Sequence, residues 1–342
     1  MLEDILTEAI KMKASDIHIK SDVALMFRVD GELLRINNYK VTYEEMQVIV
    51  KDVLKDNVKE YYRKGEYDVG YEVKNVGRFR INVFKERGKD SISIRVINNE
   101  IIPLEQISFN DTLSALMKET RGLILVSGST GSGKSTTIAS MIEKINTTEA
   151  KHIITLEDPI EYIYKYKKSI ITQREIGKDT MGYEEGLRAA LREDPDVILV
   201  GEMRDFNTMN MAITAAETGH LVLSTIHTFG AGETIDRIIN TFPKEKYEQI
   251  KLQLSLVLKG VIWQKLIKRS DGKGRCAAME VMRVIPAIKN LIREGKTYQI
   301  ESIIQTGSKY GMITMEKYIE LLYRKGIISR EEMLMNCTKR VL

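Results

Sequence analysis

Polar and apolar residues change their period several times along the first hundred positions. The pattern predicts a helix to residue 13, strands over 16–19, 24–29 and 33–36 with a turn at Asp30-Gly31, and a helix over 42–54. Residues 67–73, 78–84 and 91–96 alternate polar with apolar or aromatic positions and are split by turn formers at 75–77 and 88–90, as strands joined in hairpins are. Residues 1–97 therefore read as a small α+β domain. The stretch from Asn98-Asn99-Glu100 to Pro103 reads as a linker, 98–104. Beyond it, apolar strands alternate with helices: strands at 122–126, 152–156, 197–200 and 221–225, helices after Ser135, over 183–193 and over 207–217. Strands that are apolar on both faces and separated by helices imply a parallel α/β sheet. The second domain is thus 105–342. From about residue 230 its pattern predicts an almost wholly helical region with one strand-like break at 275–283. Residues 244–268 are apolar nearly all round, including Leu252, Leu256, Val257 and Ile262, which predicts a core helix. Residues 287–294 keep a polar face suited to a partner or to solvent.

Composition narrows the function class. A chain of 342 residues suggests about two or three domains, and 43% hydrophobic content is enough for real cores. Lys and Arg number 52 against 48 Asp and Glu, a net charge of +4 spread along the chain, which argues for neither nucleic acid nor lipid as a direct partner. Cys276 and Cys337 show no C-x-x-C spacing, which excludes a recognisable zinc site and a disulfide framework and fits a reducing cytosol. Met1-Leu-Glu-Asp4 carries acids where a signal peptide has positive charge, and no run of about 18 apolar residues occurs. A soluble chain is expected, reaching any membrane through partners.

Chemistry enters at Gly128-Ser-Thr-Gly-Ser-Gly-Lys134-Ser135, between an apolar strand and a helix. In this spacing, G-x4-G-K-S, the glycines let backbone N–H groups turn inward around phosphate oxygens. The lysine and the serine hydroxyl serve the terminal phosphates and Mg²⁺, and the helix opening at Ser135 adds its positive end. ATP and Mg²⁺ are the implied ligands. Ser129, Thr130, Gly131, Ser132, Gly133, Lys134, Ser135 and Thr136 form the binding loop.

Phosphoryl transfer also needs acids and polar groups at the carboxyl ends of neighbouring strands. Three such tips follow in order. Thr155-Leu-Glu157-Asp158-Pro159 leaves two carboxylates where the proline stops a strand. Asp196-Val-Ile-Leu-Val200-Gly201-Glu202-Met-Arg204-Asp205 resembles a Walker B strand, with Glu202 a candidate Mg²⁺ ligand, directly or through water; Asp205 reads at least as well as a helix cap. Leu221 to Thr228 ends in polar residues and places His227 at the same edge. His18 and His152 read as structural. Arg78, Arg80 and Arg95 lie on strands of the first domain and read first as half-exposed surface residues, although an arginine supplied in trans is a common stabiliser of transferred phosphate charge.

These residues match a known family. Lys13-Ala-Ser-Asp-Ile-His18, Phe27-Arg-Val-Asp-Gly31, Gly77-Arg-Phe-Arg-Ile-Asn-Val83, Ile154-Thr-Leu-Glu-Asp-Pro-Ile-Glu161, Gln173-Arg-Glu-Ile-Gly177, the segment Leu191 through Asp205 and the run Ala215 to Thr228 resemble the secretion ATPases. Ala287-Ile-Lys-Asn-Leu-Ile-Arg-Glu294 and Ile304-Gln-Thr-Gly307 are similar to the carboxyl-terminal signature of that family's type IV pilus retraction motors, with Lys289 where arginine is usual. The resemblance implies an N-terminal PAS-like domain joined flexibly to a RecA-like P-loop ATPase domain. It also implies a homohexameric ring with nucleotide held between the domains and near a neighbouring subunit, and a platform protein of the inner membrane as partner at its cytoplasmic face. Carried over by position, Glu157 corresponds to the acidic-box glutamate, Glu202 to the Walker B acid and His227 to the histidine-box residue. His220 is closer to a structural role, and Arg80 and Arg95 correspond to arginines that reach a nucleotide across domains or subunits. Either glutamate is open as the base. Assembly and secretion relatives commonly carry a four-cysteine zinc module and a longer N-terminal extension, and a compact chain with the Ala287 to Glu294 segment points instead to retraction. Two other classes stay open on the residues: a nucleic-acid translocase, and a nucleotide-dependent regulatory module without turnover.

Overall fold

The structure, a computed structural model, describes residues 1–29, 31–74, 76–97, 101–108 and 111–337. The predicted turn positions Asp30 and Asn75 and linker positions 98–100 lie outside the described residues. The chain divides into two units, Met1–Glu100 with Glu161–Ile163, and Ile101–Ile160 with Tyr164–Leu342.

The first unit contains α1 (Leu2–Lys11), β1 (Asp16–Lys20), β2 (Ala24–Val29), β3 (Glu32–Lys40), α2 (Tyr43–Leu54), α3 (Val58–Lys64), β4 (Glu66–Val73), β5 (Gly77–Glu86) and β6 (Lys89–Ile97). The strands form one sheet in the order β3-β2-β1-β6-β5-β4, with antiparallel neighbours throughout. Period-2 alternation accounts for its buried face: Phe79, Ile81 and Val83 on β5 and Ile92 and Ile94 on β6 meet Leu2, Ile5 and Leu6 of α1 and Met46, Ile49 and Val50 of α2 in one core. Thr42 opens α2 with a capping box to Glu45. The pattern had not signalled α3. It delivers Tyr61, whose hydroxyl donates to the buried Asp90 carboxylate, a group that Lys85 also meets at 2.6 Å.

The second unit runs α4 (Leu104–Ile107), α5 (Asp111–Leu116), β7 (Gly122–Ser127), α6 (Lys134–Thr148), β8 (His152–Glu157), β9 (Ile170–Glu175), α7 (Tyr183–Ala190), β10 (Val197–Val200), α8 (Phe206–Glu217), β11 (Leu221–Ile226), α9 (Ala231–Thr241), α10 (Tyr247–Val257), β12 (Leu258–Lys268), β13 (Arg275–Arg283), α11 (Pro286–Glu294), α12 (Ile300–Thr306), α13 (Met315–Arg324) and α14 (Arg330–Asn336). Its sheet has the order β13-β12-β7-β11-β10-β8-β9. Every neighbouring pair from β12 to β9 is parallel, and β13 closes the edge antiparallel. Strands β7, β10 and β11 are buried at every position, as strands covered on both faces must be.

The region beyond residue 230 corrects the expectation. Residues 244–268 are not one helix: α10 stops at Val257 and the chain continues as β12, which pairs with β7 on one side and β13 on the other. A short apolar run satisfies a buried helix and a buried strand equally. Here pairing to β7 satisfies the backbone and places Val261 and Ile262 in the core. Among the described residues no helix is long and apolar enough to cross a membrane.

Candidate functional site

Parallel pairing decides where the chemistry gathers. Ser127 at the end of β7 is level with Ile226 of β11 and Trp263 of β12, while Val200 of β10 is level with Ser224 of β11 and Leu156 of β8. The segments leaving these strands therefore emerge along one sheet edge: the glycine-rich loop after β7, Thr225 to His227 at the end of β11, Gly201-Glu202 after β10, and Glu157 closing β8.

The loop is moulded closely. Gly128, at φ +143°, has no room for a side chain: a Cβ there would lie 2.3 Å from the Gln264 carbonyl oxygen and 2.6 Å from Ser132 Oγ. Gly133, at φ +85°, would place a Cβ 2.8 Å from Gln264 Nε2. Lys134 opens α6 with its side chain buried, and its Nζ donates to the carbonyls of Gly128 at 2.8 Å and Ser129 at 2.9 Å. The ammonium thus lies across the mouth of the loop. Ser129, Thr130, Gly131 and Ser135 are exposed around it.

At the neighbouring tips, Glu157 is buried and accepts the Thr155 hydroxyl at 2.7 Å and Gln173 Nε2 at 3.3 Å. Glu202 is 19% exposed; Arg204 lies 2.8 Å from one carboxylate oxygen and His227 Nε2 3.2 Å from the other. Gly201 lets the tips of β10 and β8 meet, since its N–H donates to Leu156 O at 2.8 Å and a Cβ on it would approach the Tyr183 hydroxyl to 3.0 Å. Thr225 fixes the opposite side through a 2.7 Å bond to the Gly201 carbonyl. Burial pushes the Tyr183 phenol well above its ordinary range, and the charges of Asp158, Glu202 and Glu157 add to it. A neutral hydroxyl therefore sits among the acids of this edge.

Several residues read from the sequence stand elsewhere. Asp205 is the cap of α8, accepting Thr208 N–H and its hydroxyl, each at 2.9 Å. His152 bridges Asp194 O and Thr172, His18 contacts Ser93, and His220 contacts Ala215 O, all at or near hydrogen-bond distance within the scaffold. Arg80 and Arg95 belong to the first unit. They stand directly opposite each other on β5 and β6, and each contacts an acid, Asp68 at 3.4 Å and Asp16 at 3.2 Å. Sequence reasoning missed Gln264 and Tyr183. The one available signal for Tyr183 was its place four residues after Asp179 at the start of a predicted helix, and Gln264 was hidden by the misread helix.

The donor set fits a nucleoside triphosphate. Ser132 Oγ is buried and has no hydrogen-bond partner among the described residues, and the space beside Gly131 is open to an approaching phosphate. A loop of this shape offers N–H groups and one ammonium to anionic oxygen, and α6, fifteen residues long, adds its positive end. No group of three or more His, Cys, Asp or Glu side chains able to hold a metal occurs among the described residues. A hydroxyl, a carboxylate and phosphate oxygens are the hard ligands that suit Mg²⁺.

Known proteins resemble this chain over most of its length. The retraction ATPase PilT of Pseudomonas aeruginosa is 44% identical over 331 residues, covering 96% of each chain. A twitching motility protein of Neisseria gonorrhoeae is 45% identical over 90% of this chain and 82% of its own. The crystal structure of the pilus retraction motor PilT with bound ADP superposes with a TM-score of 0.91 at 43% identity, covering 98% of this chain and 97% of that one. The sequence profile described as type II/IV secretion system protein matches residues 1–307, and this chain belongs to that family.

Proposed function

We propose that this chain is a P-loop ATPase whose turnover drives retraction of a type IV pilus. The observation that carries the reading is the single sheet edge on which the loop of Lys134, the Glu202–His227 pair and Glu157 emerge side by side. Similarity to retraction motors over nearly the whole chain supplies the biological context.

In this reading the N–H groups of Ser129 to Thr136 and the Lys134 ammonium bind the phosphates. Ser135 and Glu202 would hold Mg²⁺, directly or through water, and the ion would supply positive charge against the phosphates. Glu157 and Glu202 are the two candidates for orienting and deprotonating the attacking water, and His227 reports on the γ-phosphate through its contact with Glu202. Arg80 and Arg95 stabilise developing charge on a nucleotide of a neighbouring subunit. That role suits two arginines that stand opposite each other on β5 and β6, each with a loose acid partner. The first unit is a PAS-like domain, the second a RecA-like one, and 98–104 is the linker between them. The working assembly is a homohexamer at the cytoplasmic face of the inner membrane, acting on a platform protein.

The test has two parts. The purified chain should release phosphate from ATP, and Lys134→Ala should cut that rate by about a hundredfold or more. Cells lacking the gene should carry excess fibres that do not retract. Bald cells would indicate an assembly motor, and turnover stimulated by DNA or RNA in a salt-sensitive way would indicate a translocase.

A further inference from the structure

Gln264 has no place in the nucleotide-binding pattern, yet it touches that loop with both its side chain and its backbone carbonyl. It follows Trp263, which is level with Ser127, so the parallel register sets it beside Gly128 as the loop departs. It is 2% exposed. Its Nε2 donates to the Ser132 carbonyl at 2.7 Å, and its Oε1 accepts the Thr137 hydroxyl at 2.6 Å. The orientation of the amide is dictated chemically: a carbonyl only accepts, so the group facing Ser132 is the NH₂ and the oxygen is left for the Thr137 donor. Its own carbonyl fills the space that a side chain at Gly128 would need.

We infer that Gln264 is a positioning residue for the phosphate-binding loop, setting the direction of the Gly133 N–H. The warrant is peptide geometry. Ser132 C=O and Gly133 N–H belong to one planar trans peptide and point in opposite directions. Holding the carbonyl outward against β12 turns the N–H inward, to the side from which phosphate is approached. Gly133, with φ in the left-handed region, would otherwise let that peptide rotate freely. Lys134 now bonds the carbonyls of Gly128 and Ser129 and must leave them to reach a phosphate. Gln264 bonds a carbonyl on the other side of the loop and holds it in both states. The inference rests on the loop being a nucleotide site.

The experiment measures binding of a fluorescent ADP analogue and steady-state ATP turnover with full-length wild type, Gln264→Glu, Gln264→Leu and Thr137→Val. Gln264→Glu keeps the shape but turns an acceptor toward the Ser132 carbonyl, and Gln264→Leu removes the donor without adding a charge. Both should raise the ADP dissociation constant and the KM for ATP by about tenfold or more, the size of one lost hydrogen bond or somewhat above, with kcat at saturation within about threefold. Thr137→Val, which leaves the bond to Ser132 in place, should stay within about threefold of wild type. Should the buried carboxylate prevent folding, Gln264→Leu carries the test alone. A purely structural role would lower Tm in all three variants and leave ADP affinity of the folded protein unchanged, and that result overturns the inference, as does equal weakening by Thr137→Val. If wild type binds no ADP, or Lys134→Ala binds it as tightly as wild type does, it is the nucleotide site itself that fails.

Discussion

Glu202 Oε1 lies 3.2 Å from His227 Nε2, joining the residues that follow β10 and β11 at the edge where the loop of Lys134 also emerges. Glu202 contacts both a histidine and an arginine, so a change in its charge is felt on two sides. Glu202→Gln keeps the size and a hydrogen-bond acceptor and removes the charge. It should lower kcat by about a hundredfold or more, the range expected for an acid that takes part in proton transfer or charge stabilisation. ADP affinity should change only a few fold. Phosphate release at the wild-type rate would remove Glu202 from the mechanism.

Gly128→Ala tests the fit of loop to strand. The added methyl meets the Gln264 carbonyl at 2.3 Å, a backbone atom that cannot swing aside, in a conformation that side chains rarely adopt. A cost of about 2 kcal/mol or more is expected, which for a unit of this size lowers Tm by roughly 4 °C or more. ADP binding should weaken with it. An unchanged thermal transition would mean that β12 yields more easily than its place in the sheet suggests.

The sequence made this edge readable because its strands carry one kind of signal. Residues Leu123 to Val126, Val197 to Val200 and Leu221 to Leu223 are apolar without interruption, and each is followed within a few residues by glycine or a polar tip. Burial on both faces together with the need for a ligand-facing end produces that pattern. What could not be read was β12. Its apolar residues occupy both faces as in a core helix, and the partner that makes it a strand is β7, more than 130 positions earlier in the chain. Gln264 shared that fate, since a glutamine in an apolar run means nothing until the Ser132 carbonyl stands opposite it, 132 residues away in sequence. The α3 helix escaped for a different reason: it is seven residues long, too short to establish a period.

Arg95 offers a clean separation of function from folding. Its side chain is 66% exposed and its contact with Asp16 is a single 3.2 Å approach, a pair worth little in water. Arg95→Ala should leave Tm within about 2 °C of wild type. If the arginine serves a neighbouring subunit's nucleotide, the same variant lowers kcat by about tenfold or more and leaves ADP affinity of the monomer unchanged. Full activity would return Arg95 to the role of a surface residue.

Glu280 ties stability to pH. It lies on β13, 7% exposed, and accepts the Ala231 N–H at the start of α9 at 3.0 Å. It lines a cleft with Trp263, Glu233 of α9, Glu301 of α12 and Glu316 of α13. Burial pushes its carboxyl up to about 7; the Ala231 N–H opposes the shift, and the charges of Glu316 and Glu301 add to it. Because the folded state holds this proton more tightly than the unfolded chain does, the group's contribution to stability is fully present below about pH 4.5. It is lost as pH rises through about 7, a change on the order of 3 kcal/mol. Glu280→Gln keeps the shape and an acceptor for Ala231 but cannot ionise. Its unfolding free energy should therefore match wild type near pH 4.5 and exceed it by about 2 to 3 kcal/mol at pH 8, measured by denaturant titration at both values. A difference between the two proteins that does not change with pH would show that Glu280 ionises in the folded protein as easily as in water.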